Sequence, residues 1–168
     1  MRIVMVLVCL LAASIFSDTW NTVYSQGAFK MKKDEIAQVR FVKSEMLPPS
    51  PGYSQAVEIR PGARVIYVAG QVALDRDGKL IGEGDFRSQA TQTFENLQAA
   101  LRASGASFDN VVKLNGYFVD MTQLATFREV RDKYVNTINP PASTAVKVAG
   151  LFREGFLLEV EAIAVIPQ

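Results

Sequence analysis

Histidine is absent from this chain of 168 residues, and cysteine occurs once, at Cys9. Without histidine there is no serine–histidine triad, no histidine general base and no zinc site of the usual kinds. The formal net charge of +1 gives no electrostatic reason to expect nucleic acid or an anionic membrane surface as a partner. These absences are the most informative feature of the composition, because each excludes a class of catalytic site, metal site or partner.

The first 25 residues are predicted to be a secretory signal peptide. Arg2 precedes an apolar run of about 14 residues, Ile3 to Phe16, which is shorter than the roughly 20 residues of a membrane-spanning helix. Val23 and Ser25 suit the −3 and −1 positions of a cleavage after Ser25. We therefore expect export to the periplasm or secretion. The alternatives are an uncleaved anchor, or a mis-assigned start and a cytoplasmic protein. Cleavage would leave no cysteine, and so no disulfide or thiolate.

The rest of the chain divides into a flexible arm, residues 26–38, and one domain, residues 39–168. Alternating apolar residues predict strands, and apolar residues three and four apart predict helices. The predicted strands are Val39–Lys43, Ala56–Ile59, Arg64–Leu74, Val111–Met121, Ser143–Ala149 and Phe156–Ile166. The first helix is predicted to run from an N-cap at Asp85 to a stop at Gly105, and the second covers Gln123–Val135.

The order of these elements predicts an α+β domain with two helices packed on one face of a mixed sheet. The turn Arg60–Ala63 predicts that the second and third strands pair antiparallel. Asp75–Lys79 faintly resembles a calcium loop, but Ala73 and Gly84 stand where two carboxylate ligands are needed. A simple Asp-Gly turn is therefore expected there, and no metal site.

Several stretches together resemble the Rid family, also called YjgF, of reactive-intermediate deaminases. In the family's order they are PGYSQAV (51–57), VAGQVALD (68–75), GDFRSQATQTFENLQAAL (84–101), NPPAST (139–144) and LEVEAIAV (158–165). The likeness runs from about Val39 to the end of the chain. Several motifs in the family's order over that length are much stronger evidence for the family than any single motif would be.

This resemblance implies a chorismate-mutase-like fold that assembles as a barrel-like homotrimer. Three subunits would pack their sheets into a central barrel, with the helices outside and a ligand cleft at each subunit interface. The family's deaminases hydrolyse imines and enamines to a keto compound and ammonia. They use neither a metal nor a cofactor.

The implied site lacks one of its parts. In the deaminases an arginine follows Pro-Ala and binds the substrate carboxylate as a fork, whereas here Pro141 and Ala142 are followed by Ser143 and Thr144. With Ser143 in the arginine's place, neutral hydrogen bonds would be weaker by roughly a few kcal/mol. The hydroxyl residue usual before Gly-Gln is also missing, since Ala69 stands there.

Glu159 and Tyr53 are the catalytic residues that the resemblance implies. Glu159 would hold or activate the hydrolytic water, and Tyr53 would line the pocket. The residues alone leave other readings open, because Glu159 and Glu161 alternate on one strand face that could be solvent, and Tyr53 could simply pack its turn. The implied substrate-binding residues are Ser143, Thr144, Ala69, Gly70 and Arg128.

Arg128 stands on the second predicted helix where the family commonly has asparagine. One hypothesis is compensation, in which its guanidinium enters the cleft and replaces the missing arginine. The other is a solvated helix face of mixed charge, with Arg128 paired to Asp132 four residues later.

Two functions remain open after these observations. One is an exported imine or enamine deaminase with an altered substrate or weak activity. The other is a non-catalytic trimeric module that binds a small molecule in the cleft between subunits. Some relatives carry the old label of ribonuclease. The sequence gives that activity no support, because the chain has no basic patch with stacking aromatics and no histidine pair. Neither nucleic acid nor, after signal removal, a membrane is expected as a partner.

Overall fold

The computed structural model describes residues 38–168. The predicted signal peptide, and the predicted arm apart from Gln38, lie outside the described residues. The strands are β1 (Val39–Val42), β2 (Ala56–Ile59), β3 (Arg64–Gln71), β4 (Val111–Phe118), β5 (Ala142–Lys147) and β6 (Leu158–Ile166), and the helices are α1 (Phe86–Ala103) and α2 (Leu124–Arg131). None of the helices in this part of the chain is both long and apolar enough to cross a membrane.

The predicted α+β architecture is confirmed. A four-stranded sheet has the order β3-β6-β4-β5, in which β6 is antiparallel to both of its neighbours and β5 is parallel to β4. Both helices contribute to one core with the sheet, so they cover the same face of it. The strands β1 and β2 form a separate two-stranded antiparallel sheet.

The predicted pairing of the second and third strands is wrong. Strand β2 pairs with β1, and β3 pairs with β6, from Arg64 opposite Ile166 to Gln71 opposite Val160. The backbone N–H of Arg60 donates to the carbonyl of Gln38 at 2.9 Å, which extends the first pair into the turn. Strand β2 has four residues and β3 has eight, so only a long strand such as β6 can satisfy the hydrogen-bonding groups of β3.

Three predicted elements are shorter in the structure by three residues or more. Strand β3 ends at Gln71 because a bulge follows Val68 and the next residues turn. Strand β4 ends at Phe118 because the Asp120 carboxylate accepts from the Thr122 N–H at 2.9 Å and caps a 3₁₀ turn. Helix α2 ends at Arg131, where the backbone tightens to 3₁₀-type bonds.

The core lies between the helices and one face of the sheet. Phe94 of α1 is fully buried, and its ring centroid lies 5.9 Å from that of Phe108, 5.7 Å from Phe127 and 5.2 Å from Tyr134. The Asp85 carboxylate caps α1 by accepting from the N–H groups of residues 87 and 88, as predicted. Burial of such large side chains contributes about 1.5–3 kcal/mol each, which makes this layer the main source of stability.

Two polar side chains attach α1 to loops on either side of it. The amide of Gln89, completely buried, donates to the carbonyls of Gly82 (3.1 Å) and Gly155 (2.8 Å) and accepts from the N–H of Leu157 (2.9 Å). The Asn96 amide donates to the carbonyls of Val72 (2.9 Å) and Leu74 (2.8 Å). Gln89 therefore fixes the chain just before β6 begins.

Replacing Gln89 by leucine should destabilise the domain, because the Gly155 carbonyl and the Leu157 N–H lose their partner, whereas the Gly82 carbonyl keeps the N–H of Asp85. We expect the free energy of unfolding to fall by about 3 kcal/mol, measured by urea denaturation at a fixed protein concentration. Gln98→Leu on the same helix is the matched control, since the Gln98 side chain has no hydrogen bond within residues 38–168. Equal losses in the two variants would contradict the assigned role of Gln89.

Candidate functional site

The two faces of the four-stranded sheet have different characters. On β4 and β6 the side chains that point to the helices are buried and apolar, among them Leu114, Phe118, Leu158 and Val160. The residues between them point the other way, because side chains alternate along a strand. The facing pairs on this second side, here called the open face, are Tyr117 with Glu159, Asn115 with Glu161 and Lys113 with Ile163.

Glu159 and Gly70, both predicted site residues, meet on the open face. A Cβ atom built on Gly70 would overlap the Glu159 carboxyl group, with its Cδ only 2.7 Å away. The Glu159 side chain therefore lies directly over the Gly70 backbone, at the bulge of β3. Any side chain at this position would displace the carboxylate, so the glycine is what allows Glu159 to lie there.

Glu161 belongs to a hydrogen-bonded group on the same face. Its Oε1 accepts from Nδ2 of Asn115 at 2.7 Å and from Oη of Tyr117 at 3.0 Å. The hydrogen bond to Glu161 raises the pKa of Tyr117 above its usual value, and desolvation and the charges of Glu161 and Glu159 add to the effect. The shift extends the alkaline range over which Tyr117 stays protonated and remains a donor.

Asn115, Tyr117 and Lys113 were not among the site residues predicted from the sequence. All three lie at alternate positions of β4, and this alternation is the feature of the sequence that could have identified them. It points to the site only when the register between β4 and β6 is known, because that register decides which side chains face the two glutamates.

A cavity of about 430 Å³ opens on this face. Its lining residues come from β3, β4 and β6: Tyr67, Val68, Ala69, Lys113, Asn115, Glu161, Ala162 and Ile163. At its edge Nζ of Lys113 donates to Oγ1 of Thr144 at 2.7 Å. The predicted residues Ala69 and Thr144 thus belong to the same face as Glu159 and Gly70.

Ser143 lies on the opposite face of the sheet. It pairs with Leu114, which points into the core, whereas Thr144 pairs with Asn115. Neighbouring residues of a strand point to opposite faces, so one chain cannot bring Ser143 and Glu159 together.

Tyr53 is half-buried beside the beginning of β5. The next residue, Ser54, is buried, and its N–H donates to the carbonyl of Pro141 at 3.1 Å while its Oγ donates to that of Pro140 at 2.6 Å. Ser54 also forms an isolated parallel bridge with Ala142. The turn that carries Tyr53 is therefore fixed to the Pro-Pro stretch that leads to Ser143.

Arg128 is exposed on α2 and lines none of the cavities described here. The proposed ion pair between Arg128 and Asp132 is not formed within residues 38–168. Asp132 instead accepts from Nε of Arg131 at 2.8 Å, and Nη2 of Arg131 lies 2.7 Å from the same oxygen. Arg131 is the buried arginine of this helix, with a side chain 5% exposed, and its guanidinium packs against Gly52.

A second cavity, of about 560 Å³, lies where α1 and α2 begin. Its lining includes Asp85, Arg87, Asp120 and Gln123, and none of the predicted site residues. Although it is larger, it lacks the glutamate and glycine pair of the open face. We therefore place the candidate site on the open face.

Comparison with known proteins supports the resemblance seen in the sequence. The family model described as Endoribonuclease L-PSP matches residues 43–166. A RutC family protein from Pyrococcus abyssi is 36% identical over 127 residues, which cover 76% of this chain and 95% of that one. The mouse protein named 2-iminobutanoate/2-iminopropanoate deaminase is 40% identical over 113 residues, covering 67% of this chain and 80% of its own.

Solved structures agree with this assignment. A Rid-family protein from Yersinia pestis, YyfB, has a TM-score of 0.71 at 33% identity, and the match covers 77% of this chain and 100% of that one. RidA from an Antarctic Psychrobacter has a TM-score of 0.56 at 32% identity, with 76% and 99% covered. The chain belongs to the Rid (YjgF) family, whose model carries the description Endoribonuclease L-PSP.

Proposed function

We propose that this protein is a cofactor-free deaminase that hydrolyses imines or enamines, with weak activity toward α-imino acids. The observation that carries the proposal is a difference in hydrogen bonding between the two glutamates on the open face. Glu161 accepts two hydrogen bonds, whereas the Glu159 carboxylate lies over Gly70 and accepts none from residues 38–168. Glu159 is therefore the carboxylate that can take a proton from water. A relative 40% identical to this chain is named as such a deaminase.

The reaction follows from one carboxylate and one water molecule. Glu159 accepts a proton from water as the water oxygen bonds to the imine carbon, and it passes that proton to the nitrogen to give a carbinolamine. Glu159 then accepts the hydroxyl proton of the carbinolamine as the carbonyl forms, and returns it to the nitrogen as the C–N bond breaks and ammonia leaves. Water and imine give a keto compound and ammonia, with no electron transferred.

Weak activity toward α-imino acids is proposed because of Ser143. It stands where the family resemblance implies the arginine that binds the substrate carboxylate. A hydroxyl offers one neutral hydrogen bond in place of a charged bidentate contact. The same substitution supports a second candidate function, a binding module for a small molecule that is not turned over.

We further infer that the site is completed between copies of the chain in a homotrimer. The inference is supported by Ser143 and Glu159, which lie on opposite faces of one sheet and can meet only across an interface. The open face also carries exposed apolar side chains, with Tyr67 79% exposed and Val65 and Val146 each 40%.

Export is proposed on the sequence of residues 1–25, where a positive charge precedes a short apolar run. Because imines are short-lived in water, an exported deaminase would act on imines that form outside the cytoplasm.

The deaminase proposal is tested with 2-iminobutanoate generated by an amino-acid oxidase. We expect the wild type to accelerate its loss weakly and Ser143→Arg to do so more strongly. Glu159→Gln, made in both backgrounds, should lower the rate by about 100-fold. Glu154→Gln, at an exposed glutamate in the loop before β6, is the control and should change nothing. Inactivity of both the wild type and Ser143→Arg would favour the binding module instead.

Light scattering at micromolar concentration should give three times the mass of one chain. Tyr67→Asp should shift the protein toward the monomer, because it places a charge in the proposed interface. Met46→Asp is the control, since Met46 is 95% exposed between β1 and β2. A monomeric wild type would contradict the assembly and the shared site together.

Export predicts that cells producing the full chain accumulate a form that begins at Gln26 outside the cytoplasm. Intact-mass spectrometry of fractionated cells measures this directly, and a chain without residues 2–25 serves as the cytoplasmic control. The uncleaved chain in the cytoplasmic fraction would overturn the proposal.

A further inference from the structure

Lys113 places a positive charge on the same face as Glu159. It projects from β4 on the open face, and its Nζ donates to Oγ1 of Thr144 on β5 at 2.7 Å. No carboxylate oxygen of residues 38–168 lies within 4.0 Å of this ammonium group. Lys113 therefore keeps N–H donors for another acceptor.

The cavity of about 430 Å³ begins at this lysine. It extends past Ala69 to Glu161, and the residue after Ala69 is Gly70, on which the Glu159 carboxylate rests. A small molecule in the cavity would thus lie next to the ammonium group, and Ala69 in the same lining is the neighbour in sequence of Gly70, over which Glu159 lies. The volume suits a molecule of a few heavy atoms with its surrounding water.

The two donors at the edge of the cavity match the needs of a carboxylate. Lys113 offers charged N–H groups, and Thr144 accepts from Lys113, so its own hydroxyl proton remains available to a second oxygen. The negative charge of Glu161 in the same cavity is offset in part by the hydrogen bonds from Asn115 and Tyr117. Among the described residues that line the cavity, Lys113 is the cation.

We propose that Lys113 and Thr144 bind the carboxylate of the ligand, through a contact weaker than the bidentate one that an arginine at position 143 would make. The inference rests on the proposed function for the position of Glu159 in the site. The two arginines of α2 are poorer candidates, because Arg128 is exposed on the helix and Arg131 is buried against Gly52 with Asp132 as its partner. Lys113 is the cation that shares a face with the proposed catalytic carboxylate.

Binding of 2-oxobutanoate to the intact assembly, measured by isothermal titration calorimetry, tests this inference without any turnover. Lys113→Met should raise the Kd at least about tenfold, Thr144→Val by a smaller factor, and Lys113→Arg should restore most of the affinity. Lys147→Met is the matched control, since Lys147 lies on β5 and pairs with Phe118 of the opposite face. The uncharged analogue 2-oxobutanamide should bind the wild type and Lys113→Met equally.

The outcomes separate this inference from the proposed function. Binding that depends on Lys113, in a protein that does not hydrolyse imines, supports the carboxylate site and counts against the deaminase. Hydrolysis and binding that are both unchanged in Lys113→Met overturn the carboxylate site and leave the deaminase standing. Failure of the wild type to bind 2-oxobutanoate at millimolar concentration also overturns it. Light scattering of each variant shows whether it is still assembled, so that a loss of affinity caused by disassembly is recognised.

Discussion

The alternation of side chains along β6 is the constraint on which both the core and the site depend. This central strand hydrogen-bonds to β3 on one side and β4 on the other, and every second residue from Leu158 to Ala164 is buried against the helices. Glu159 and Glu161 must then point to the open face. A slip of one residue would drive both carboxylates into the core, at a cost of several kcal/mol each, so packing of the core also fixes the position of the candidate site.

Local patterns in the sequence predicted every strand and helix of the described domain, because periodicity and capping are properties of neighbouring residues. The pairing of β2 with β3 was predicted wrongly for the same reason. A short turn such as Arg60–Ala63 favours a hairpin, but the partner of β3 is decided by a strand almost 100 residues later. Asn115 and Tyr117 were missed because their importance depends on the register of β4 against β6. The neighbourhood of Glu159 and Gly70 was reached through the family resemblance, which carries long-range information that a single sequence does not.

Ser143 and Thr144 are adjacent in sequence but lie on opposite faces of the sheet. Ser143 is on the face of Leu114, and Thr144 is on the face of Asn115. Ser143 carries no charge, and its position on the other face separates it from the polar side chains of the open face. Any carboxylate recognition that depends on Lys113 and Thr144 is independent of it, and the two positions can change specificity separately.

The two glutamates of β6 differ in their hydrogen bonds within the described residues. Like charges two residues apart on one strand face repel, and hydrogen-bond donors stabilise the charged form of a carboxylate. Asn115 and Tyr117 are such donors to Glu161, and the raised pKa of Tyr117 extends the pH range over which its hydroxyl donates. Glu161 is thereby held by two hydrogen bonds from β4, which link the two strands on the open face. Glu159, resting on a glycine that offers no side chain, is left to interact with water and with whatever enters the cavity beside it.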